Sequence, residues 1–192
     1  MSRLRIYSVK INRALWLLAT LLPIIVIPVK GLPDIFNTAK APVLSIGAVY
    51  IAFYLIKIRE AEFKKVNFLL LIYICWVFIA SLVAYKPILA LTGVSSTAGR
   101  FEGFLTLLFY AIIFYAAKVH MRLTKKDIHF FLCIQAFVAL YAIAQFFKID
   151  PLVEYMNYTK GSYATIGNQN FLASWSLLLS LIHISEPTRP ID

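Results

Sequence analysis

Residues 66–85 form a run of twenty residues that contains no charged side chain. An α-helix of that length is about 30 Å long, which matches the thickness of the hydrocarbon core of a bilayer. Lipid offers no hydrogen-bond partner for backbone N–H and C=O groups, so a lone apolar run of this kind crosses a membrane as a helix. The run therefore predicts a membrane-spanning helix.

Similar apolar runs recur along the chain, and charged turns separate them. Together they predict an all-α polytopic membrane protein with five complete transmembrane helices and the start of a sixth, at about residues 14–29, 41–58, 66–85, 104–119, 128–147 and from 171 onward. Hydrophobic residues make up 61% of the chain and charged residues 15%. Soluble domains have about 45–50% and about 25%, so the composition agrees with a membrane protein. A signal peptide is not expected, because Ile27-Pro28-Val29-Lys30 offers no small-residue cleavage site.

Lysine and arginine residues alternate in number between successive loops. The N-terminus and the second and fourth loops carry four each, whereas the first, third and fifth loops carry two each. The positive-inside rule then places the N-terminus in the cytoplasm and the odd-numbered loops outside. The net charge of +10 is thus explained by membrane topology. We expect a lipid bilayer as partner and no nucleic acid.

An arginine and a carboxylate stand between two glycines in Gly99-Arg100-Phe101-Glu102-Gly103, just before the fourth predicted span. A guanidinium group matches two phosphate oxygens at once. One interpretation is that Arg100 and Glu102 are interfacial residues whose side chains reach water. The other is that Arg100 binds a phosphate and Glu102 orients it or binds a sugar hydroxyl. The flanking glycines favour the second, since they let the backbone approach a ligand closely.

The segment 161–173 leads into the sixth predicted span and is rich in hydroxyl and amide side chains. Either Asn168 or Asn170 is expected to cap that helix by accepting hydrogen bonds from its first N–H groups. The start of a helix is also a natural anion site, and the polar side chains are dense enough to contact a sugar. No metal-ligand spacing, nucleotide phosphate loop, carboxylate pair or nucleophile motif is present in the sequence.

Residues 179–189 look like a translated sequencing adapter of the transposon type, and the likeness covers all eleven residues. The alternative is a genuine polar C-terminus. We expect residues 1–178 to be a transmembrane helical fragment and residues 179–192 to be a non-native tail. On this interpretation the chain is the N-terminal part of a longer protein, because residues 171–178 are too short for a membrane helix.

Three short motifs resemble the O-antigen ligase and O-antigen polymerase family. The first motif is Pro33-Asp34-Ile35-Phe36 with Lys40, after the first predicted span. The second motif is Gly99-Arg100-Phe101-Glu102-Gly103-Phe104, before the fourth. The third motif is Gly167-Asn168-Gln169-Asn170-Phe171-Leu172-Ala173, entering the sixth, with Gln169 where the family usually has proline.

The resemblance implies a function. Members of the family are bacterial inner-membrane proteins that transfer a glycan from a polyprenyl-pyrophosphate carrier to an acceptor on the outer side. The resemblance also implies that this substrate is contacted by Arg100, Glu102, Asn168 and Asn170, and that no cofactor or metal is needed. The catalytic base, a histidine in the family, is expected beyond this chain, so the fragment alone is expected to be inactive. The glycan, the acceptor and the choice between ligation and polymerisation stay open.

Two other functions fit a polytopic membrane protein. A secondary transporter would place polar or ionisable groups near the middle of the bilayer. Gln135 is the main such group in the five complete spans, so the outward loops favour an enzyme. A non-catalytic scaffold for envelope assembly is the other alternative.

Overall fold

The computed structural model describes residues 3–58, 68–93, 101–155 and 161–184, and within these ranges all regular structure is helical. Seven α-helices are present in the described ranges. They are α1 (Arg3–Leu21), α2 (Asn37–Ile58), α3 (Phe68–Val83), α4 (Pro87–Thr92), α5 (Phe104–His120), α6 (Lys125–Phe146) and α7 (Gln169–Ile184). A short 3₁₀ helix, Val153–Tyr155, lies between α6 and α7.

The packed core lies between α1, α2 and α5. Its buried members are all small or aliphatic, namely Ile11, Ala14, Leu15, Leu18, Ile51, Ile58 and Ala116. Gly47 allows α1 and α2 to approach, because a Cβ there would lie 2.5 Å from Cδ2 of Leu18. The helices α3 and α4 pack on the outer side of α5.

The helices alternate in direction, so the structure has two distinct ends. Ser8 Oγ lies 3.1 Å from His120 Nδ1, so the start of α1 meets the end of α5. Lys40 Nζ donates to the carbonyl oxygen of Thr165 over 2.8 Å, so the start of α2 meets the segment before α7. The first end carries the basic N-terminal residues. The second end carries segments that the charge pattern assigns to the outside.

The first predicted span, residues 14–29, is wrong in its bounds. The helix α1 begins at Arg3 and ends at Leu21, and the chain then makes turns and continues without helical structure. Pro23 lacks a backbone N–H and disfavours helical geometry in the residue before it, so the helix stops there. The basic residues expected to precede the helix therefore lie within its first three turns.

The other helices follow the apolar runs more closely. The helix α5 begins at Phe104, as predicted, and ends one residue later than expected. The helix α2 begins four residues before the predicted residue 41, and α6 begins three residues before the predicted residue 128. The helix α7 continues to Ile184, so it includes residues 179–184 of the expected tail. Residues 185–192 lie outside the described ranges.

Among the described residues, two helices, α2 and α6, are long and apolar enough to cross a membrane, each with 22 residues. The helices α3 and α5 are apolar but shorter, with 16 and 17 residues. The five complete spans are therefore not confirmed. Large apolar side chains of α3 face outward, with Phe68 71%, Trp76 70% and Val83 81% exposed. Such a surface is typical of contact with lipid or another apolar partner.

A polar contact joins α6 and α7. Gln135 is buried, and its Oε1 accepts a hydrogen bond of 2.6 Å from the indole N–H of Trp175. Phe131 packs against the same indole ring, with 6.2 Å between ring centroids. The polar residue that sequence places within a span thus serves helix–helix packing.

Candidate functional site

A cavity of about 410 Å³ lies at the second end of the structure, between α2, α5 and the segment that leads into α7. Residues from all three motifs line it: Lys40 of the first, Phe101 and Glu102 of the second, and Phe171 of the third. Polar groups contribute further to the wall, from Asn37, Ser45, Thr92, Thr106 and Tyr110, and the remaining lining residues are mostly apolar. We call this space the motif cavity.

The first wall of the motif cavity is the start of α2, which Asp34 fixes. Its Oδ1 accepts hydrogen bonds from the backbone N–H groups of Phe36, over 2.7 Å, and Asn37, over 2.9 Å. Its Oδ2 accepts a third, from the side chain of Asn37 over 2.8 Å. Asp34 thus caps α2 and stabilises its positive end. Lys40 follows one turn later on the same helix, beside Asn37.

Lys40 joins the first motif to the residues that directly precede the third. Its ammonium group donates to the carbonyl oxygens of Thr165, over 2.8 Å, and Ile166, over 3.0 Å. The same group lies 5.6 Å from the centroid of the Phe36 ring. No ion pair between Lys40 and a carboxylate occurs in the parts of the chain that the structure describes. Its positive charge is therefore held by carbonyl dipoles and an aromatic ring beside the cavity.

Gly167 packs against Phe36 and explains part of the third motif. Its φ angle is +89°, and a Cβ at this position would lie 2.5 Å from Cγ of the Phe36 ring. The same ring packs against Tyr163, with 5.6 Å between centroids and an angle of 68° between planes. The first and third motifs are thus neighbours in one packed unit, with Ile35, Phe36 and Tyr163 buried in it.

The second motif supplies the second wall of the cavity. Gly103 precedes the first residue of α5, and the hydroxyl of Thr106 donates to the carbonyl of Phe101. A Cβ on Gly103 would lie 2.5 Å from the backbone N of Gly93 and 2.5 Å from the carbonyl O of Leu91. The expectation that this glycine admits a ligand is therefore wrong, because its close neighbour is the end of α4.

The substrate-contact residues expected from the sequence have different surroundings. Glu102 is exposed and lines the motif cavity. Arg100 lies outside the described residues. Asn168 caps α7 as expected, accepting a hydrogen bond of 2.8 Å from the backbone N–H of Asn170. Both asparagines are exposed, and neither lines the cavity, whereas Phe171 and Ile166 on either side of them do.

Residues 161–167 form a strap that contacts the end of α6 and the start of α2, and Tyr163, Ala164, Thr165 and Gly167 of this strap are buried. Gln145 Oε1 accepts from the backbone N–H groups of Tyr163, over 2.9 Å, and Ala164, over 2.7 Å. The hydroxyl of Tyr163 donates to Asp150, and that of Thr165 donates to the carbonyl of Pro23. These two hydroxyls donate within the protein, and contact of this segment with a sugar stays a prediction.

The carboxylate of Asp150 accepts hydrogen bonds from α6 and from the strap. Burial by itself raises the pKa of its carboxyl group, but hydrogen bonds from the hydroxyls of Tyr141 and Tyr163, the N–H of Leu152 and the amide of Gln145 outweigh burial and lower the pKa below its usual value. The Tyr141 bond measures 2.6 Å. An ionised Asp150 therefore holds the strap on α6.

Sequence reasoning included Lys40 in a motif but did not assign it to the site. It also missed Asn37, Ser45, Thr92 and Thr106, which lie in or beside helices whose neighbours the sequence does not reveal. The one available signal was spacing, since Asn37, Lys40 and Ala41 fall on one face of a helix that Asp34 caps.

The described residues contain no cluster of His, Cys, Asp and Glu side chains that could hold a metal ion. The motif cavity instead offers one ammonium, one carboxylate, several hydroxyls and an apolar lining. That set of groups suits a ligand with an anionic part, hydroxyl groups and a hydrocarbon part.

We compared the chain with protein-family models, with curated proteins and with solved structures, and found no match in any of the three.

Proposed function

We propose that this chain is part of a bacterial membrane glycan ligase or polymerase, and that the motif cavity receives the polyprenyl-pyrophosphate end of a lipid-linked glycan. The observation that carries the proposal is the convergence of three separate motifs on one cavity. Their lining residues are far apart in the sequence, from Lys40 of the first motif to Phe171 of the third. On this proposal the protein is multi-pass, lies in the inner membrane, and opens the cavity to the outer side.

The contents of the cavity support a lipid-linked substrate. Leu22, Leu44 and Phe109 give it an apolar lining for hydrocarbon, while Lys40 and Glu102 provide charged groups. An ammonium group carries three N–H groups, so Lys40 can hold two carbonyl oxygens and still contact a phosphate oxygen. Arg100 immediately precedes Phe101, a lining residue, and its guanidinium would bind pyrophosphate in a bidentate manner.

The proposed reaction breaks one bond and forms one. An acceptor hydroxyl attacks the anomeric carbon of the glycan, and the bond from that carbon to the pyrophosphate oxygen breaks with its electron pair on the pyrophosphate. The acceptor proton passes to a base that the family resemblance assigns to a later loop. Negative charge grows on the leaving group, so Arg100 and Lys40 would stabilise the transition state more than the ground state.

The test measures binding of polyprenyl pyrophosphate to the chain in nanodiscs, with the uncharged polyprenol as the reference ligand. We expect Arg100→Ala to weaken binding of the pyrophosphate by at least about tenfold, as for loss of a charged hydrogen-bond partner, and Arg100→Lys to weaken it as well. Polyprenol binding should not change. Arg122→Ala is the matched control, because it removes an arginine at the opposite end of the structure.

A second arm uses cells that carry the intact gene. There Arg100→Ala should abolish glycan transfer, seen as loss of glycan-bearing acceptor on a gel, while the protein still inserts into the membrane. Undiminished transfer, or equal binding of pyrophosphate and polyprenol to the unsubstituted chain, would overturn the proposal.

A further inference from the structure

A second cavity of about 410 Å³ lies at the opposite end of the structure, between α1 and α6. Its lining consists of Val9, Asn12, Arg13, Trp16, Leu17 and Thr20 from α1, with Asp127 and Phe130 from α6. We call it the basic-end groove. It shares no lining residue with the motif cavity, and nothing in the proposed glycan transfer uses it.

The wall formed by α1 carries a charged side chain and, one turn further on, an exposed apolar side chain. Val9, Arg13 and Leu17 are spaced by four residues and so lie along one face of the helix. Leu17 lies about 6 Å further along the axis than Arg13. Leu17 is 58% exposed and Phe130 on the opposite wall is 61% exposed. A charged group thus stands beside exposed hydrocarbon from both walls of the groove.

Contacts from α1 to the segment before α6 and to α6 itself hold the groove in place. The backbone N–H of Arg122 donates to Asn12 Oδ1 over 2.8 Å, and the indole N–H of Trp16 donates to the carbonyl of Arg122 over 3.1 Å. The ring of Trp16 packs edge-on against Phe131 of α6, with 6.3 Å between centroids. Tryptophan in this amphipathic setting is typical of the level where headgroups meet hydrocarbon.

The charge around the groove is mostly positive. Arg13 is exposed, and Arg122, Lys125 and Lys126 lie at the same end of the structure. Asp127 is the opposing charge, and its Oδ2 accepts a hydrogen bond from the hydroxyl of Thr124. No ion pair joins Asp127 to Arg13 in the described ranges, so the Arg13 guanidinium is not neutralised by the one carboxylate of the groove.

We propose that the basic-end groove binds one anionic phospholipid of the cytoplasmic leaflet, with its phosphate on Arg13 and an acyl chain along Leu17 and Phe130. Basic pockets between transmembrane helices on the cytoplasmic side are well suited to anionic headgroups. The apolar walls select a lipid over a free phosphate ion, because only a lipid covers the exposed side chains as it neutralises the arginine.

The first test is native mass spectrometry of the purified chain with equal amounts of phosphatidylglycerol and phosphatidylcholine. The chain should retain phosphatidylglycerol preferentially. Arg13→Gln should lower that preference about fivefold, the effect of one basic residue near an anionic headgroup. Asp127→Asn should raise it, since it removes the repelling carboxylate. Arg5→Gln is the matched control, because Arg5 lies on the same helix outside the groove.

A second measurement locates the lipid. In a chain with Trp76→Phe and Trp175→Phe, Trp16 is the remaining tryptophan. Its fluorescence should be quenched more by phosphatidylglycerol with brominated acyl chains than by phosphatidylcholine with the same brominated chains. Arg13→Gln should remove the difference. The proposal is overturned if both lipids quench Trp16 fluorescence equally in the single-tryptophan chain that keeps Arg13, or if Arg5→Gln lowers lipid preference as much as Arg13→Gln.

Discussion

Position 167 can carry little more than a hydrogen atom. A methyl group there would meet the Phe36 ring at 2.5 Å, and the φ angle of +89° already disfavours any L side chain. Gly31 provides a natural comparison, since its φ angle is +90° but nothing lies within 4 Å of the site of a Cβ. The two glycines therefore separate backbone strain from steric conflict.

We expect Gly167→Ala to destabilise the chain by about 2–4 kcal/mol, from strain of about 1 kcal/mol plus overpacking of about 1–3 kcal/mol. Gly31→Ala should lower the free energy of unfolding only by the backbone strain of about 1 kcal/mol. Thermal unfolding in detergent, followed by circular dichroism, gives the comparison. Equal losses in the two variants would show that Phe36 does not confine Gly167.

At the scale of single residues, the sequence predicts local roles such as helix capping better than it predicts contacts with other segments of the chain. The helix cap at Asn168 followed from residue type and position, since an amide before an apolar run accepts the first free N–H groups of a helix. The roles of Gly103 and Lys40 did not follow. Each depends on contact with a backbone segment elsewhere in the chain. That segment is the end of α4 for Gly103 and residues 165–166 for Lys40. No local pattern encodes such a neighbour.

At the scale of elements, the strap 161–167 depends on the ionised state of Asp150. Its pKa is lower in the folded protein than in the unfolded chain, so its contribution to stability is complete above the unfolded pKa of about 3.9. That contribution is lost as the pH falls through the lower, folded pKa. At neutral pH the hydrogen bonds from Tyr141 and Tyr163 are therefore fully stabilising.

We expect Asp150→Asn to lower the melting temperature at pH 7, and the gap from the unsubstituted chain to narrow as the pH falls from about 5 toward 3. Melting temperatures of both chains across this range give the measurement. Subtracting the two curves removes the titration of the other carboxylates. A gap that stays constant or widens at acid pH would contradict this role for Asp150.

Helix bounds show the same division between local and distant causes. The start of α5 at Phe104 could be predicted, because a glycine and a charged pair precede an apolar run. The end of α1 at Leu21 differs from the prediction, because apolar residues continue through Pro23 and Pro28 while proline geometry ends the helix.

At the scale of the whole molecule, the alternating directions of the helices make a test of orientation possible. Ser162 belongs to the strap at one end, and Lys126 lies in the first turn of α6 at the other. The positive-inside rule assigns the first end to the outside and the second to the cytoplasm. In a chain with Cys75→Ser and Cys133→Ser, single cysteines at these positions report the side directly.

We expect Ser162→Cys to react with a membrane-impermeant maleimide in intact cells, and Lys126→Cys to react only after the cells are permeabilised. The cysteine-free chain is the control for background labelling. The reverse pattern would place the N-terminus outside and the motif cavity in the cytoplasm, which would remove the basis for transfer at the outer surface.

The hydrogen bond from Lys40 to Thr165 also has a meaning for biosynthesis. The donor and acceptor are 125 residues apart, and four of the described α-helices are made between them. At about 5–20 residues per second, the ribosome needs roughly 6–25 s to deliver the carbonyl after the ammonium has been made. During that interval the start of α2 lacks the segment that closes its side of the cavity. The end of the structure that holds the motif cavity is thus completed late, after most of the described helices have been synthesised.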